Sequence, residues 1–315
     1  MKKNLCLFSA PSKFIDKKIF KINKFSFKFD EIWKKSDIKK KNYQITSWIV
    51  NPGQTFKVDE EILNFFPNLK YLVTPSTGIN HIDLETCKKK KIKVFSLLNN
   101  RKKLDEIRAS SEFTFLLALN SLRRLDKAII EVDNKRWRKN EDIMRGQELY
   151  GKSVGIIGLG RIGSNIAKWF KMFGADVSYY DVINKGKKYK KKSIKHIFSN
   201  TSIICICCSL NEKTQNLIDL STLKLLKKNS ILINTSRGEV INEKDLINFL
   251  KKRKDIFFSA DVLVGETNGS NLKSKLLNMH KKRRVVITPH ICGASYESQT
   301  KAAQISIDLL KKNFK

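Results

Sequence analysis

A short apolar segment, Val154-Gly155-Ile156-Ile157, runs into Gly158-Leu159-Gly160-Arg161-Ile162-Gly163, and an amphipathic stretch follows as far as Phe173. Ile162, Ile166, Trp169, Phe170 and Phe173 recur there at helical spacing. A buried strand, a Gly-x-Gly-x-x-Gly loop and a helix in that order constrain the chain more than any other feature. Gly158 permits the tight turn, Gly160 lets backbone approach a pyrophosphate, and Gly163 allows close helix–strand packing, with phosphates at the helix N-terminus. The next strand ends at Tyr180-Asp181, 18 residues beyond Gly163. A carboxylate there accepts both hydroxyls of an adenine ribose and repels a 2′-phosphate, which points to NAD in preference to NADP. Lys185 and Lys187 stand close by as partners for a 2′-phosphate, so NADP stays open behind NAD.

The same alternation runs along the whole chain. Strands are expected at Leu5–Phe8, Thr46–Val50, Tyr71–Thr74, Lys93–Phe95, Val154–Gly158, Val177–Tyr180, Ile203–Cys208, Ile231–Asn234, Phe257–Ala260 and Val285–Thr288. Amphipathic stretches separate them, one starting at Asn242 as N-cap. Strand–helix alternation means parallel sheets covered by helices, an α/β architecture. A longer helical run covers 107–130, and the polar stretch Glu131–Glu148 after it reads as a seam between domains.

The chain has 315 residues, enough for two domains, and 41% of them are hydrophobic. No stretch approaches the roughly 18–20 apolar residues of a membrane helix, so no membrane role is expected. The start, Met1-Lys2-Lys3-Asn4-Leu5-Cys6-Leu7-Phe8, reads as a first strand rather than a signal peptide. Six cysteines form no dense disulfide framework, and a reducing cytoplasm is the expected location. The formal charge of +33 raises the question of a nucleic-acid partner. Its lysines, however, are scattered in runs at 39–41, 88–91, 187–192 and 281–284 rather than gathered in one tail or interleaved with aromatics. No specific nucleic-acid partner is expected. Cys205, Cys207 and Cys208 lack a second Cys/His cluster at ligand spacing and read as buried strand thiols, with no metal.

Dinucleotide chemistry moves a hydride, so the protein must supply a proton donor and a clamp for the substrate. Of the four histidines, His196 and His280 lie in lysine-rich helical surroundings, and His81 sits where a helix begins. His290 follows Val285-Val286-Ile287-Thr288-Pro289, at the carboxyl end of a strand, where open α/β sheets bind ligands. Arg237 projects from another strand end, and a guanidinium grips a carboxylate with two parallel hydrogen bonds. Asp261 ends a third strand, with Glu266 five residues on. A carboxylate beside His290 raises the histidine pKa and holds its tautomer.

These segments carry a resemblance. Gly151–Gly163, Ile233-Asn234-Thr235-Ser236-Arg237-Gly238, Ala260-Asp261-Val262 with Glu266, and Thr288-Pro289-His290-Ile291 are similar to the D-isomer-specific 2-hydroxyacid dehydrogenase family over nearly the whole chain. The resemblance implies two Rossmann-like, doubly wound parallel-sheet domains. The substrate domain is discontinuous, built from 1–106 and 287–315, around a continuous NAD-binding domain at 107–286. It implies that His290 protonates the carbonyl oxygen, Glu266 stabilises the imidazolium, and Arg237 holds the substrate carboxylate and polarises the carbonyl. NAD would be held by Gly158, Gly160, Arg161, Ile162, Gly163, Asp181, Cys207, Thr235 and Ser236, with Asp261 at the nicotinamide end. The turn Ser76-Thr77-Gly78 would bind the substrate carboxylate through backbone N–H groups. Family members are commonly homodimers through the cofactor domain.

Cys207 and Ser209 replace the His and Pro that relatives often carry, Cys292 stands where Gly is common, and Thr267 replaces a frequent Pro. Arg108-Ala109-Ser110-Ser111-Glu112 looks like the segment opening the long helix of 3-phosphoglycerate dehydrogenases, so Arg108 is a candidate for a second anionic group. A phosphorylated or acidic D-2-hydroxy acid such as 3-phosphoglycerate is the first expectation, with glyoxylate or hydroxypyruvate reduction as the alternative. A reading of another class is an NAD-sensing regulatory protein with a basic surface. Such a module has no need of Arg237, Glu266 and His290 together.

Overall fold

A computed structural model describes residues 4–282 and 285–314. The chain divides into two units. The first takes the chain up to Arg108, Glu266–Ser270 and Gly293 onward; the second takes Ala109–Gly265 and Asn271–Cys292.

The first unit holds five parallel strands, β1 (Asn4–Phe8), β2 (Phe25–Phe29), β3 (Ile45–Ile49), β4 (Tyr71–Thr74) and β5 (Lys93–Ser96), in the order β2-β1-β3-β4-β5. Both faces are covered, as the near-continuous apolar runs require. Cys6, Phe8, Ile49 and Val73 pack under the helix Tyr296–Asn313, against Ala302, Ala303, Ile307 and Leu310. Leu7, Trp48, Val50 and Leu72 point the other way, onto Val58, Ile62, Phe66 and Ile82. The last helix of the chain thereby returns to the sheet that the first strand began.

The second unit holds β6 (Ser153–Ile157), β7 (Asp176–Tyr180), β8 (Lys190–Lys191), β9 (Ile203–Ile206), β10 (Ile231–Asn234), β11 (Phe257–Ala260) and β12 (Val286–Ile287). Their order is β12-β11-β10-β9-β6-β7-β8, again all parallel. The chain builds outward from β6 to β8, then crosses back to start β9 on the other side of β6. The carboxyl ends of β6 and β9 therefore flank the switch point where such sheets leave a crevice.

Several expectations are corrected. β2 was not anticipated, because its apolar Phe25, Phe27 and Phe29 alternate with exposed neighbours at a sheet edge. β8 is two lysines inside a charge run. The expected helix over 107–130 is two helices, Ala109–Arg123 and Leu125–Asp133, broken where Arg124 turns left-handed at φ 57°. That bend lays the Arg124 guanidinium 3.3 Å from the Phe257 ring centroid. The polar stretch 131–148 is no seam, since it lies wholly inside the second unit. Its Glu131 is buried and takes a two-pronged pair of hydrogen bonds from Arg136, at 2.6 and 2.7 Å, which hold its carboxyl down at about 2. Phe173, assigned to the apolar face of the helix after the glycine loop, lies beyond the end of that helix (Arg161–Met172) and is exposed.

Candidate active site

The three loop glycines of the second unit have three different neighbourhoods. Gly158 has φ +92°, and a Cβ there would come within 2.7 Å of the Cys208 backbone, so the β6 turn fits only without a side chain. At Gly163 a Cβ would collide with the Gly158 carbonyl oxygen, so the helix can start this close to the strand only with glycine. At Gly160 a Cβ would meet nothing within 4 Å, and the backbone is ordinary at φ −79°. Nothing in the chain requires glycine at Gly160, which is what a ligand pressed onto bare backbone would demand. The residues present thus fit a dinucleotide. Gly160→Ala is expected to leave the melting temperature unchanged and weaken NADH binding. Gly163→Ala is expected to cost about 1–3 kcal/mol of stability. Thermal melts and NADH titration of the two variants check the contrast.

Asp181, just past β7, is half-buried. Its Oδ2 accepts the Leu159 N–H at 2.9 Å and its Oδ1 the Ile183 N–H at 3.0 Å. The acid thus touches the glycine loop itself. Arg161 and Ile162 open the helix at that loop, both half-buried. Cys205 is buried in β9, while Cys207 and Cys208 lie past the strand's end and are half-buried, where strand was expected. Desolvation pushes all three thiols up, Cys208 to about 11, so none is a ready thiolate. Among the described residues no group of His, Cys, Asp and Glu could hold a metal ion.

The turn after β10 is organised by Asn234, a buried residue that the sequence reading gave no role. Its Nδ2 donates to the Arg237 carbonyl at 2.9 Å, and its Oδ1 accepts from the Ser236 N–H and hydroxyl. The Thr235 hydroxyl lies 2.8 Å from Thr114, whose own proton goes to the Ser110 carbonyl. Thr235 therefore donates to Thr114. Arg237 is half-buried, and its Nη1 donates to the Ser236 carbonyl at 2.7 Å. A Cβ on Gly238 would collide with the Leu263–Val264 backbone, and the Gly265 N–H donates to Glu239 at 3.1 Å. These contacts fasten the Arg237 turn to the segment leading towards Glu266.

His290 stands three residues beyond the end of β12, exposed, in left-handed backbone at φ 54°. Its N–H donates to the Asp261 carbonyl at 2.9 Å. The Asp261 carboxylate, only 1% exposed, accepts the Thr288 hydroxyl at 2.5 Å, the Ile291 N–H at 2.9 Å and the Cys292 N–H at 2.8 Å. Asp261 thus grips the histidine loop on both sides of His290. Cys292, which stands where Gly is common, is buried against this carboxylate, and desolvation together with the carboxylate pushes its thiol up. Arg237, Asp261 and His290 follow β10, β11 and β12, neighbours in the sheet, so their carboxyl ends deliver all three to one edge.

The remaining site residues belong to the first unit. Glu266 is half-buried and opens a short turn, Glu266–Asn268. Ser76, Thr77 and Gly78 follow β4; among the described residues no hydrogen bond takes up the N–H of Thr77 or Gly78. Arg108 is exposed, immediately before the helix Ala109–Arg123. Of the other histidines, His196 is exposed as expected. His280 is half-buried, 3.1 Å from the Ile287 N–H, and His81 is buried.

Two parallel α/β sheets, one with a glycine loop at its switch point, define a dinucleotide-binding class of protein. Residues 115–292 match the model of the D-isomer specific 2-hydroxyacid dehydrogenase NAD binding domain. A glyoxylate/hydroxypyruvate reductase of Arabidopsis thaliana is 32% identical over 82% of this chain and 77% of its own. The D-3-phosphoglycerate dehydrogenase of Bacillus subtilis is 30% identical over 81% of this chain, which spans 47% of that protein. A D-lactate dehydrogenase of Aquifex aeolicus, solved with NAD and lactic acid, shares the fold at TM-score 0.79 and 24% identity, covering 98% of this chain and 95% of that one. The chain belongs to the D-isomer-specific 2-hydroxyacid dehydrogenase family and is an NAD-dependent oxidoreductase. The reading as a regulatory module without activity is set aside. No helix among the described residues is long and apolar enough to cross a membrane.

Proposed function

We propose that the chain interconverts a D-2-hydroxy acid and its 2-oxo acid, the first unit binding the substrate and the second the cofactor. The observation that carries this is the delivery of Arg237 and His290 to one edge of the sheet that also holds the glycine loop. Gly158, Gly160, Arg161, Ile162 and Gly163 would cradle the pyrophosphate, Asp181 the adenine ribose, and Cys207, Thr235 and Ser236 the remaining length. Nicotinamide held there supplies the hydride. Arg237 pairs with the substrate carboxylate and polarises the carbonyl. His290 gives its proton to the carbonyl oxygen and recovers it in the reverse direction. Glu266 steadies the imidazolium, and Asp261 keeps the His290 loop in place and would stand at the nicotinamide end of the cofactor. The Thr77 and Gly78 N–H groups would bind a substrate carboxylate.

For the substrate, a phosphorylated or otherwise acidic D-2-hydroxy acid such as 3-phosphoglycerate is the first reading. Support comes from the Bacillus relative and from a cleft of about 670 Å³ in the first unit, lined by Lys34, Lys35 and Lys57 and by Thr267 and Asn268, the residues after Glu266. Arg108 is a further partner for the second anion. Glyoxylate or hydroxypyruvate is the second reading, favoured by the Arabidopsis relative. We place the protein in the cytoplasm, in keeping with its free cysteines. We also propose a homodimer through the second unit, whose helices leave Leu116, Ile129, Val132 and Met172 exposed, with Phe173 just beyond the last of them.

A panel of 2-oxo acids with NADH and with NADPH, followed by nicotinamide absorbance, tests the reading. Turnover of one of them, faster with NADH, is expected. In Asp181→Ala the gap between the two cofactors narrows. Turnover of none would overturn the reading.

A further inference from the structure

His81, which sits where a helix begins, is 4% exposed and is linked through the Thr74 hydroxyl to the Ser76-Thr77-Gly78 turn. Its main chain is fixed, because the Val58 N–H donates to the His81 carbonyl at 2.8 Å and the Asp83 N–H to the Val58 carbonyl at 2.9 Å. Its Nε2 is 3.1 Å from the hydroxyl of Thr74, the fully buried last residue of β4. The Thr74 hydroxyl is 2.8 Å from that of Ser76, which is 2.8 Å from the Gly78 carbonyl oxygen.

The proton on each of these bonds follows from the last one. A carbonyl oxygen only accepts, so Ser76 spends its single proton on Gly78. Thr74 must then donate to Ser76. Having spent its own proton, Thr74 can only accept from His81, so Nε2 carries a hydrogen. The chain of bonds runs one way, from the His81 ring to the Gly78 carbonyl. At its end the Ser76 hydroxyl is held inward and the Gly78 carbonyl is occupied. The Thr77 and Gly78 N–H groups have no partner among the described residues.

We infer that His81 is a positioning residue for the carboxylate-binding turn, acting through Thr74 and Ser76 and required to present Nε2–H. This rests on the reading of the turn given above. Without that donor Thr74 is released, Ser76 is free to turn outward, and its hydroxyl competes with the substrate carboxylate for the turn's N–H groups.

Two measurements test this. Nitrogen-15 NMR of the wild-type ring is expected to show a hydrogen on Nε2; a neutral ring protonated at Nδ1 alone would overturn the inference, whatever the variants do. Thr74→Val and His81→Leu are expected to raise the KM for the 2-oxo acid about tenfold, with kcat and NADH affinity near wild type. His81→Gln, which keeps a donor at similar reach, should restore most of the loss, which filling space alone would not do. An unchanged KM in Thr74→Val, in an enzyme that reduces 2-oxo acids, sinks the inference and leaves the functional reading standing. A wild type that reduces none of them removes the functional reading, and the turn's role with it.

Discussion

His290→Ala is expected to lower kcat by about 10²–10⁴ while NADH still binds at near wild-type affinity. The split follows from where the side chain stands. The loop that carries it is fastened through Asp261 by the Thr288 hydroxyl and by the Ile291 and Cys292 N–H groups, none of which belongs to the imidazole. Truncating an exposed ring therefore removes the proton donor and leaves the loop and the cofactor cradle intact. Stopped-flow and steady-state rates beside an NADH fluorescence titration give both quantities. A variant with unchanged turnover would remove His290 from the chemistry. A variant that also lost NADH would assign the ring to the cofactor instead.

Arg237→Lys is the second large effect, a rise in KM for the 2-oxo acid of roughly 10- to 100-fold. An ammonium keeps the charge but lacks the planar fork that meets both carboxylate oxygens. The loss should fall on substrate rather than cofactor, because the turn is built by Asn234 and by the close approach at Gly238, to which the guanidinium adds a hydrogen bond to the Ser236 carbonyl. Saturation curves in the 2-oxo acid at saturating NADH measure it, and a KM within a factor of about two of wild type would count against the clamp.

Much of this was legible from residue order. Apolar runs set apart by helical spacing announced both sheets, because parallel strands are buried on two faces and leave an unbroken hydrophobic trace. Two of the edge strands leave no such trace: Phe25–Phe29 has Ser26, Lys28 and Phe29 exposed, and Lys190–Lys191 looks like any charge run. The break at Arg124 leaves no local signal, and the ring its guanidinium meets, Phe257, is more than 100 residues away. Within the candidate site, Arg237 and His290 were expected past strand ends, and the structure places both there. Asp261 was expected at a strand end for the same reason, but its hold on the histidine loop was not, since nothing local says that its carboxylate will meet backbone N–H groups 30 residues on. His81 was passed over because its partner, Thr74, belongs to a strand end and its effect travels through two hydroxyls. Positions that touch ligands are marked by their place in the topology, whereas those that hold the first group in place appear only once hydrogen bonds can be traced.

Each unit carries a thiol with no exposed surface, Cys6 in β1 and Cys205 in β9, and burial pushes both far above the ordinary cysteine value. Only the thiolate reacts with an alkylating reagent. Neither sulfur can be labelled until its own sheet comes apart, and the two labelled peptides are separable by mass. The protein therefore carries two native clocks, one per unit, that record without any engineered probe whether the halves melt together or one after the other.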